Sequence, residues 1–565
     1  MPRKLSGLLI SDFTLDVLKS FFSNQMDSSS YDVRISPFGQ KINSFRHSPH
    51  IFGTEPLDFV VVWNQITAVI PSFQRILCFE EVSQQELLSE CDQFISAIKE
   101  ASTFSRYFFV VNWALPGYFR GYGPVDLRKS NGWQHALLTL NKHLAQELAH
   151  IPNVYLLSSE RWLQIVGEKA CDPRLWYMSK IPYDMGVFKL AAEDIKAALR
   201  ACLGGSRKLV ILDLDDTLWG GIVGDDGWQN LRLGGHDAQG EAYADFQRAL
   251  KSYQKRGVLL AIVSKNQENI ALEVFDRHPE VILKKSDFVG WRINWKDKTE
   301  NITDLLKELN LTQEAAVYID NSPIERARIQ ESLPGVLVPS WTQNSLLYTK
   351  AFLSLSCFDT AFVSDDDQKR SQMYLQEKDR SSLRAKAPSM DEWLSSLNTT
   401  ITIEPLTTTN LPRATQLLNK TNQMNLTTRR LNEGEFLKWS QDPSHRVWIF
   451  RVEDKMGDSG LTGIASFACN GQEAKIIDFI LSCRVFGRQI ENAMMETLIR
   501  EAKKLKIQKL TGVYLPTEKN IPCLEFLSER CGSTKISDHT FMWDTKKDYP
   551  RTRFITVKEV ETFNL

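Results

Sequence analysis

The amino-terminal third of the chain alternates short apolar runs with amphipathic stretches. Leu8–Ile10, Phe59–Trp63, Tyr107–Val111 and Val154–Leu157 have strand composition, and Gln85–Lys99 and Gly132–Leu148 read as helices between them. Strands alternating with helices predict a parallel sheet. Cys202-Leu-Gly-Gly-Ser206 has the look of a hinge. Beyond it, Leu209–Leu212, Val258–Val263 and Ala315–Ile319 read as buried strands. Tyr243, Phe246, Leu250 and Tyr253 fall at spacings of three and four, one helix face closed by Gly257, and Ile302–Leu309 is a second helix. Asp365–Arg384 reads as a charged, solvated helical connector. From about Thr400 the order changes: strands Val447–Val452 and Leu461–Phe467 joined at Gly457–Gly460, a third strand Ile476–Leu481, then a helix Glu491–Lys504. That order predicts a mixed α+β unit. The expected fold class is α/β, divided into 1–205, 206–355, a helical linker 356–399, and 400–565.

Composition narrows the partners. A length of 565 residues exceeds a single hydrophobic core, and 42% hydrophobic with 24% charged residues is ordinary for a globular chain. A formal net charge of −1 supplies no field toward nucleic acid or anionic lipid, so neither is expected as a partner. No apolar run approaches the roughly 18 residues of a membrane span. The run after Met1-Pro-Arg-Lys, Leu8-Leu9-Ile10, is short for a secretory signal. Nine cysteines without Cys-x-x-Cys spacing argue against a disulfide framework or a zinc site. The expected location is cytoplasmic.

Chemistry concentrates at strand ends. The strand Leu209–Leu212 stops abruptly in Asp213-Leu214-Asp215-Asp216-Thr217. Three acids there repel one another unless a cation or a reacting phosphate joins them. Asp213 and Asp215 stand two apart, so one carboxylate can attack phosphorus while the other handles the leaving-group proton. Thr217 can donate to the phosphoryl oxygens. Ser264, with Lys265 and Asn266 after it, ends the next strand and can hold phosphate; a serine there is also an ordinary strand terminator. Lys296 and Lys298 both precede a helix near Glu300, where a lysine can offset the acids. Asp320 ends a third strand and supplies a second carboxylate for Mg²⁺, a metal bound by few protein ligands and several waters.

These elements in this order resemble motifs I to IV of the haloacid dehalogenase (HAD) superfamily, most members of which are Mg²⁺-dependent phosphotransferases. The resemblance implies a Rossmann-like fold with Asp213 as nucleophile and Asp215 as acid/base. Thr217, Ser264, Lys265, Asn266 and Lys298 then hold phosphate, Lys298 being preferred to Lys296. Asp213, Asp215 and Asp320 are the implied metal set. Asp213–Gly227, Ser264–Asn266, His278-Pro279, Ile293–Trp295 and Asp320–Arg326 are similar to the FkbH-like branch of that superfamily. So are Thr421–Arg430, Ser482–Arg488 and Pro516–Asn520 downstream. Its members are bifunctional glyceryl transferase/phosphatases of polyketide pathways. They load glycerate from 1,3-bisphosphoglycerate onto a phosphopantetheinylated acyl carrier protein as a thioester and remove the 3-phosphate. Two departures stand out: Asp216 where Asn is common, and Asn321-Ser322 where Asp-Asn is common.

A thioester needs a thiol, and 203–356 contains none. Cys483 follows the strand Ile476–Leu481 and precedes Arg484 and Arg488 at an expected helix amino terminus, a setting that favours thiolate. A buried structural cysteine is the bland alternative. Arg484-Val-Phe-Gly487-Arg488-Gln489 resembles the strand-to-helix loop of GNAT acyltransferases, which cradles a CoA pyrophosphate; here it implies a surface for the carrier's pantetheine arm. Asn422, Gln423, Asn425 and Asn520 are candidate polar liners, or ordinary loop amides. The amino-terminal unit resembles an SGNH-hydrolase-like, flavodoxin-like sheet. Ser11, Asn64 and Asn112 sit at expected strand ends, but Asp172-Pro-Arg-Leu-Trp176 lacks the histidine, so a structural or docking role is expected. The competing readings are a plain Mg²⁺-dependent phosphatase and a non-catalytic carrier-binding assembly protein.

Overall fold

The structure, a computed structural model, describes residues 4–23, 30–39, 57–129, 132–363, 365–421, 423–517, 519–547, 549–550 and 552–560. It is a multi-domain α/β protein built on three sheets. The chain packs as two compact units, residues 1–202 with Leu431–Phe436, and 203–430 with 437–565.

The first unit carries five parallel strands: β1 (Lys4–Ile10), β2 (Ser30–Ile35), β3 (Leu57–Val62), β4 (Ser105–Val111) and β5 (Val154–Leu157). Their order β2-β1-β3-β4-β5 is that of flavodoxin-like doubly wound sheets. The helices α1 (Gln84–Ala101) and α2 (Trp133–Leu148) bury Leu87, Phe94, Leu140 and Leu144 against it. Four of these strands follow the apolar runs; β2, with alternating polar residues at the sheet edge, has no such run.

The second unit opens with β6 (Leu209–Leu212), β7 (Leu259–Ser264), β8 (Phe288–Ile293) and β9 (Ala316–Ile319), all parallel, in the order β8-β7-β6-β9. Every residue of β6, β7 and β9 is buried, as expected for strands covered on both faces. The chain leaves β6 for β7 on one side and later returns to β9 on the other. The strand order therefore reverses at β6, and the carboxyl ends beside it form the crevice where such sheets bind ligands. Among the helices that cover this sheet are α3 (Ala238–Lys255), α4 (Lys298–Glu308) and α5 (Pro323–Ser332).

The helix α6 (Arg370–Lys386) corrects the solvated-connector reading: it packs against β8 and also against the third sheet. Arg380 on it is buried and holds Asp454 through two 2.8 Å bonds. After the helix α7 (Leu411–Lys420), which follows β10 (Thr399–Pro405), come β11 (Met424–Asn425), β12 (His445–Asp454), β13 (Gly457–Asn470) and β14 (Glu473–Leu481). A helix α8 (Ile490–Lys504) leads to β15 (Lys509–Val513), followed by β16 (Thr534–Ser537), β17 (Thr540–Asp544) and β18 (Ile555–Glu559). The order is β16-β17-β15-β14-β13-β12-β10-β18, with β11 on β14. Pairing is antiparallel from β10 to β14 and parallel between β14 and β15, where α8 makes the crossover. The β12–β13 turn lies at Lys455-Met456, which corrects the expected turn at Gly457–Gly460: that segment is strand, with a register shift near Val452 on its partner.

Candidate functional site

Leu212 of β6 pairs with Ile319 of β9, so the next residues, Asp213 and Asp320, emerge side by side on strands about 4.8 Å apart. Both are buried, Asp320 completely. Lys298 Nζ lies between them, donating to Asp213 Oδ1 at 2.8 Å and to Asp320 Oδ2 at 2.7 Å. The cap explains why this lysine and not its neighbour arrives. Asp297 accepts Thr299 N at 2.7 Å and starts α4, which makes Lys298 its first, buried residue and leaves Lys296 exposed.

Two carboxylates against one ammonium leave an excess negative charge out of water. Burial pushes the Asp213 carboxyl up; Lys298 pulls it back and the Asp320 charge raises it again, leaving it at about 6 against an ordinary 3.8. For Lys298 burial acts downward, but Asp213 and Asp320 outweigh it and hold the ammonium above its ordinary value. Asp320 is further fixed by the Tyr318 hydroxyl on Oδ2 and by Ser322 N on Oδ1 at 2.7 Å. Arg326 Nη1 bonds the carbonyls of Asp320 and Asn321 at 2.7 and 2.8 Å. Tyr318 and Arg326 escaped the sequence reading. Tyr318 stands two before Asp320 and so shares its face of the strand, which was the available signal.

Asp215 Oδ1 accepts Trp219 Nε1 at 2.9 Å and Val223 N at 3.1 Å, and its Oδ2 accepts Asn266 Nδ2 at 2.9 Å. These donors hold the carboxylate in one orientation and occupy both oxygens. They fit a positioned acid/base. Asp216 turns the chain in a left-handed conformation (φ 51°), tolerated by Asp, and its Oδ1 accepts Gly221 N at 2.9 Å. Buried Thr217 accepts Asn321 N at 3.2 Å, and buried Ser264 receives Asn266 Nδ2 at 3.4 Å and bonds the Asp213 carboxylate. The structure thus gathers Asp213, Asp215, Thr217, Ser264, Asn266, Lys298 and Asp320. A polar pocket of about 570 Å³ adjoins them, lined in part by Asp216, Arg232, Tyr243, Asn321 and Tyr348.

Lys265 departs from the expected set. Its Nζ pairs with Glu325 Oε1 of α5 at 2.6 Å, which draws the ammonium off the acids. Lys265→Gln is expected to lower stability by no more than about 1 kcal/mol, as for a partly exposed pair, and to leave catalytic turnover within a few-fold. Chemical denaturation beside a phosphatase assay checks both.

Among the described residues no cluster of three or more His, Cys, Asp or Glu side chains is close enough to hold a metal. Mg²⁺ asks for less: one or two carboxylates, with water completing its octahedron. Asp213 and Asp320 offer hard oxygens and an uncompensated charge, so the residues fit the ion. Metal binding needs Asp213 ionised. The Mg²⁺ affinity is expected to rise roughly tenfold per pH unit up to about 6 and to level off above it. Calorimetric titrations across that range would show the break. The stability sign runs oppositely without metal: a carboxylate raised from 3.8 to about 6 takes up a proton on folding, so stability falls as pH climbs through that window.

In the third sheet, Cys483 begins a three-residue 3₁₀ turn, and α8 starts only at Ile490. No helix terminus supports a thiolate; burial pushes the thiol up, while Lys208 and then Arg484 pull it back. This corrects the thiolate-favouring setting. Arg488 is buried and committed to Asp454 at 3.1 Å and to Glu377, so it is not presented to a ligand. Gly487 is exposed with φ +75°, and Gln489 is left-handed (φ 61°) ahead of α8. Asn425 and Asn520 are fully buried fasteners: Asn520 Nδ2 bonds Asn425 O at 3.0 Å and Leu515 O at 2.8 Å, and Tyr514 donates to Asn520 Oδ1 at 2.7 Å. They brace loops. Gln423 is partly buried; Asn422 lies outside the described residues.

In the first unit, buried Ser11 accepts Phe13 N at 3.0 Å, Asn64 Nδ2 bonds Asp12 Oδ1 at 3.0 Å, and Asn112 Oδ1 takes Ser159 N at 2.7 Å. A cavity of about 120 Å³ at these strand ends includes Asn64, Asn112, Trp113 and Tyr183 in its walls, and no histidine lines it.

The N-terminal part of protein BF1531 from Bacteroides fragilis, a crystal structure containing a phosphatase domain complexed with Mg, is 23% identical to this chain. The match covers 64% of this chain and 95% of that one with a TM-score of 0.58, and the two share a fold. The ribosomal-protein-S18-alanine N-acetyltransferase of Escherichia coli is 16% identical over 25% of this chain and 90% of its own, TM-score 0.20. A mutant form of the Vibrio cholerae spermidine N-acetyltransferase is 16% identical over 26% and 94%, TM-score 0.21. No family model matches the chain, and no curated protein does. Among the described residues no helix is long and apolar enough to cross a membrane.

Proposed function

We propose that the protein is a HAD-type, Mg²⁺-dependent phosphatase joined to an acyl-transfer domain, and that it moves a glyceryl unit from 1,3-bisphosphoglycerate to a phosphopantetheinylated acyl carrier protein. The observation that carries the phosphatase half is the Asp213–Lys298–Asp320 cluster at the reversal of strand order. Asp213 attacks the 3-phosphate, forming an aspartyl phosphate and releasing an alkoxide that Asp215, oriented by Trp219 and Asn266, protonates. Water then hydrolyses the acyl phosphate, with Asp215 accepting its proton. Lys298, Ser264 and Thr217 stabilise the phosphoryl oxygens, and Asp213 and Asp320 would hold Mg²⁺, which when bound would supply positive charge to the transferred group. The Mg complex of the Bacteroides fragilis phosphatase-domain structure supports that metal.

The transfer half rests on the resemblance of Thr421–Arg430, Ser482–Arg488 and Pro516–Asn520, with Cys483 as acyl acceptor. Its buried thiol favours a second reading, a phosphatase whose last domain only binds. Intact mass spectrometry of a pantetheinylated carrier, incubated with enzyme, Mg²⁺ and generated 1,3-bisphosphoglycerate, decides between them. A glyceryl adduct lost in Cys483→Ala supports transfer; phosphate release without an adduct leaves the plain phosphatase.

A further inference from the structure

Lys208 sits just before β6, at the end of the sheet away from Asp213. Strand rise over the five residue steps from one to the other separates the two by about 16 Å. Around Lys208 the chain assembles other cations from three distant segments. Arg370 Nη1 of α6 bonds Gly257 O at 2.7 Å, and two residues on, Leu259 N bonds Lys208 O at 2.8 Å. Arg370 also holds Asp367, which accepts Gln416 Nε2 at 2.8 Å, and Gln416 in turn accepts from Arg413. Lys420, at the end of α7, packs on Gly204, where a Cβ would lie 3.1 Å from its Cγ. Arg484 rests against the Met373 sulfur of α6 beside Cys483.

Two of these cations, Lys208 and Lys420, lack a counter-charge among the described residues. Lys208 and Lys420 are partly buried, and neither ammonium has a hydrogen-bond or ion-pair partner among the described residues. Of the nearby acids, Asp367 is held by Arg370 and Gln416, and Glu377 by Arg380 and Arg488. Burial, then the charge of Arg370, brings Lys208 down to about 8; burial, Arg370 and Lys208 press Lys420 well below its ordinary value. Holding two such lysines together costs stability and gains nothing unless an anion arrives.

We propose that Lys208, Lys420, Arg370, Arg413 and Arg484 form a binding site for a phosphate-class dianion next to Cys483. Side chains from the β6 edge, α6, α7 and the β14–α8 loop compose it, so it differs from a backbone-amide cradle. It is distinct from the carboxylate centre and stands whether or not Cys483 carries an acyl group or Asp213 a phosphoryl group. The phosphate can belong to a small phosphorylated acid or to a phosphopantetheine arm.

The test is calorimetric titration of the full chain with inorganic phosphate in EDTA, where the metal-free carboxylate centre repels anions. Saturable binding is expected, weakened about tenfold or more by Lys208→Met and by Lys420→Met, and retained by Lys208→Arg. In phosphate-free buffer Lys208→Met should melt higher than the wild type, because an unpaired charge has gone, and should lose the stabilisation that phosphate gives. Phosphate should also slow alkylation of Cys483, followed by peptide mass spectrometry, in the wild type and not in Lys208→Met. Competition by 3-phosphoglycerate against 4′-phosphopantetheine then identifies which source of the phosphate binds. Wild type without saturable binding, or both methionine variants binding phosphate as the wild type does, overturns the proposal.

Discussion

Asp213→Asn is expected to lower phosphate release at least about 10⁴-fold while leaving a folded protein, the order of loss seen when a covalent nucleophile is removed. The amide keeps the shape of the carboxylate and can accept from Lys298 through its oxygen. The site also loses a negative charge that burial held at an unfavourable cost, as the rise of the Asp213 carboxyl to about 6 shows. Thermal unfolding of the variant should therefore be unchanged or higher near neutral pH in metal-free buffer. Activity and stability move in opposite directions, which a purely architectural role for Asp213 does not produce. A variant that unfolds and loses activity together would sink the nucleophile assignment, and one that keeps phosphate release would sink the phosphatase reading itself. Phosphate release with a generic aryl phosphate and Mg²⁺, beside a melting curve, is sufficient.

The carboxylate centre was legible because its members sit where apolar strands stop. Leu209–Leu212, Val258–Val263 and Ala316–Ile319 are buried on both faces, so they are continuous apolar runs, and the polar residues after them are conspicuous. What was not legible is direction. Lys265 follows Ser264 as directly as Asn266 does, yet one side chain turns to Glu325 and the other to Asp215. The choice between Lys296 and Lys298 required the cap that sets where α4 begins. β8 escaped because Gly290, Trp291 and Arg292 break its apolar run at the edge of the sheet.

The third sheet was read less well, and for a related reason. Arginines near Cys483 in sequence implied a thiolate, but α6 packs over this part of the sheet, and Arg488 spends its charge on Asp454 and Glu377. A connector rich in charge looked solvated, whereas its Arg380 is buried against Asp454 of another segment. Long-range pairing of this kind leaves no local pattern. The cations around Lys208 are hidden in the same way, since their numbers run from 208 to 484.

Lys298→Met tests the electrostatics most directly, since it removes the only ammonium bonded to Asp213 and Asp320 among the described residues. Breaking a buried ion pair by deleting one partner costs about 3–5 kcal/mol, because the remaining charge has no compensation. Here two carboxylates would be left on adjacent strand ends, and they relieve the strain by taking up a proton between them. The proton is easier to acquire at low pH. A raised carboxylate pKa in the folded state adds stability that is lost as pH rises, so the deficit of the variant should be large at about pH 8 and much smaller at about pH 5. Mg²⁺ supplies the missing positive charge by another route and should stabilise the variant more than the wild type. Phosphate release stays low even then, since Lys298 also faces the phosphoryl oxygens in the proposed mechanism. Urea unfolding at both pH values, with and without Mg²⁺, reads each of these signs. A pH-independent deficit that Mg²⁺ leaves untouched would mean Lys298 is held by packing rather than by charge, and the metal assignment to Asp213 and Asp320 would lose its physical basis.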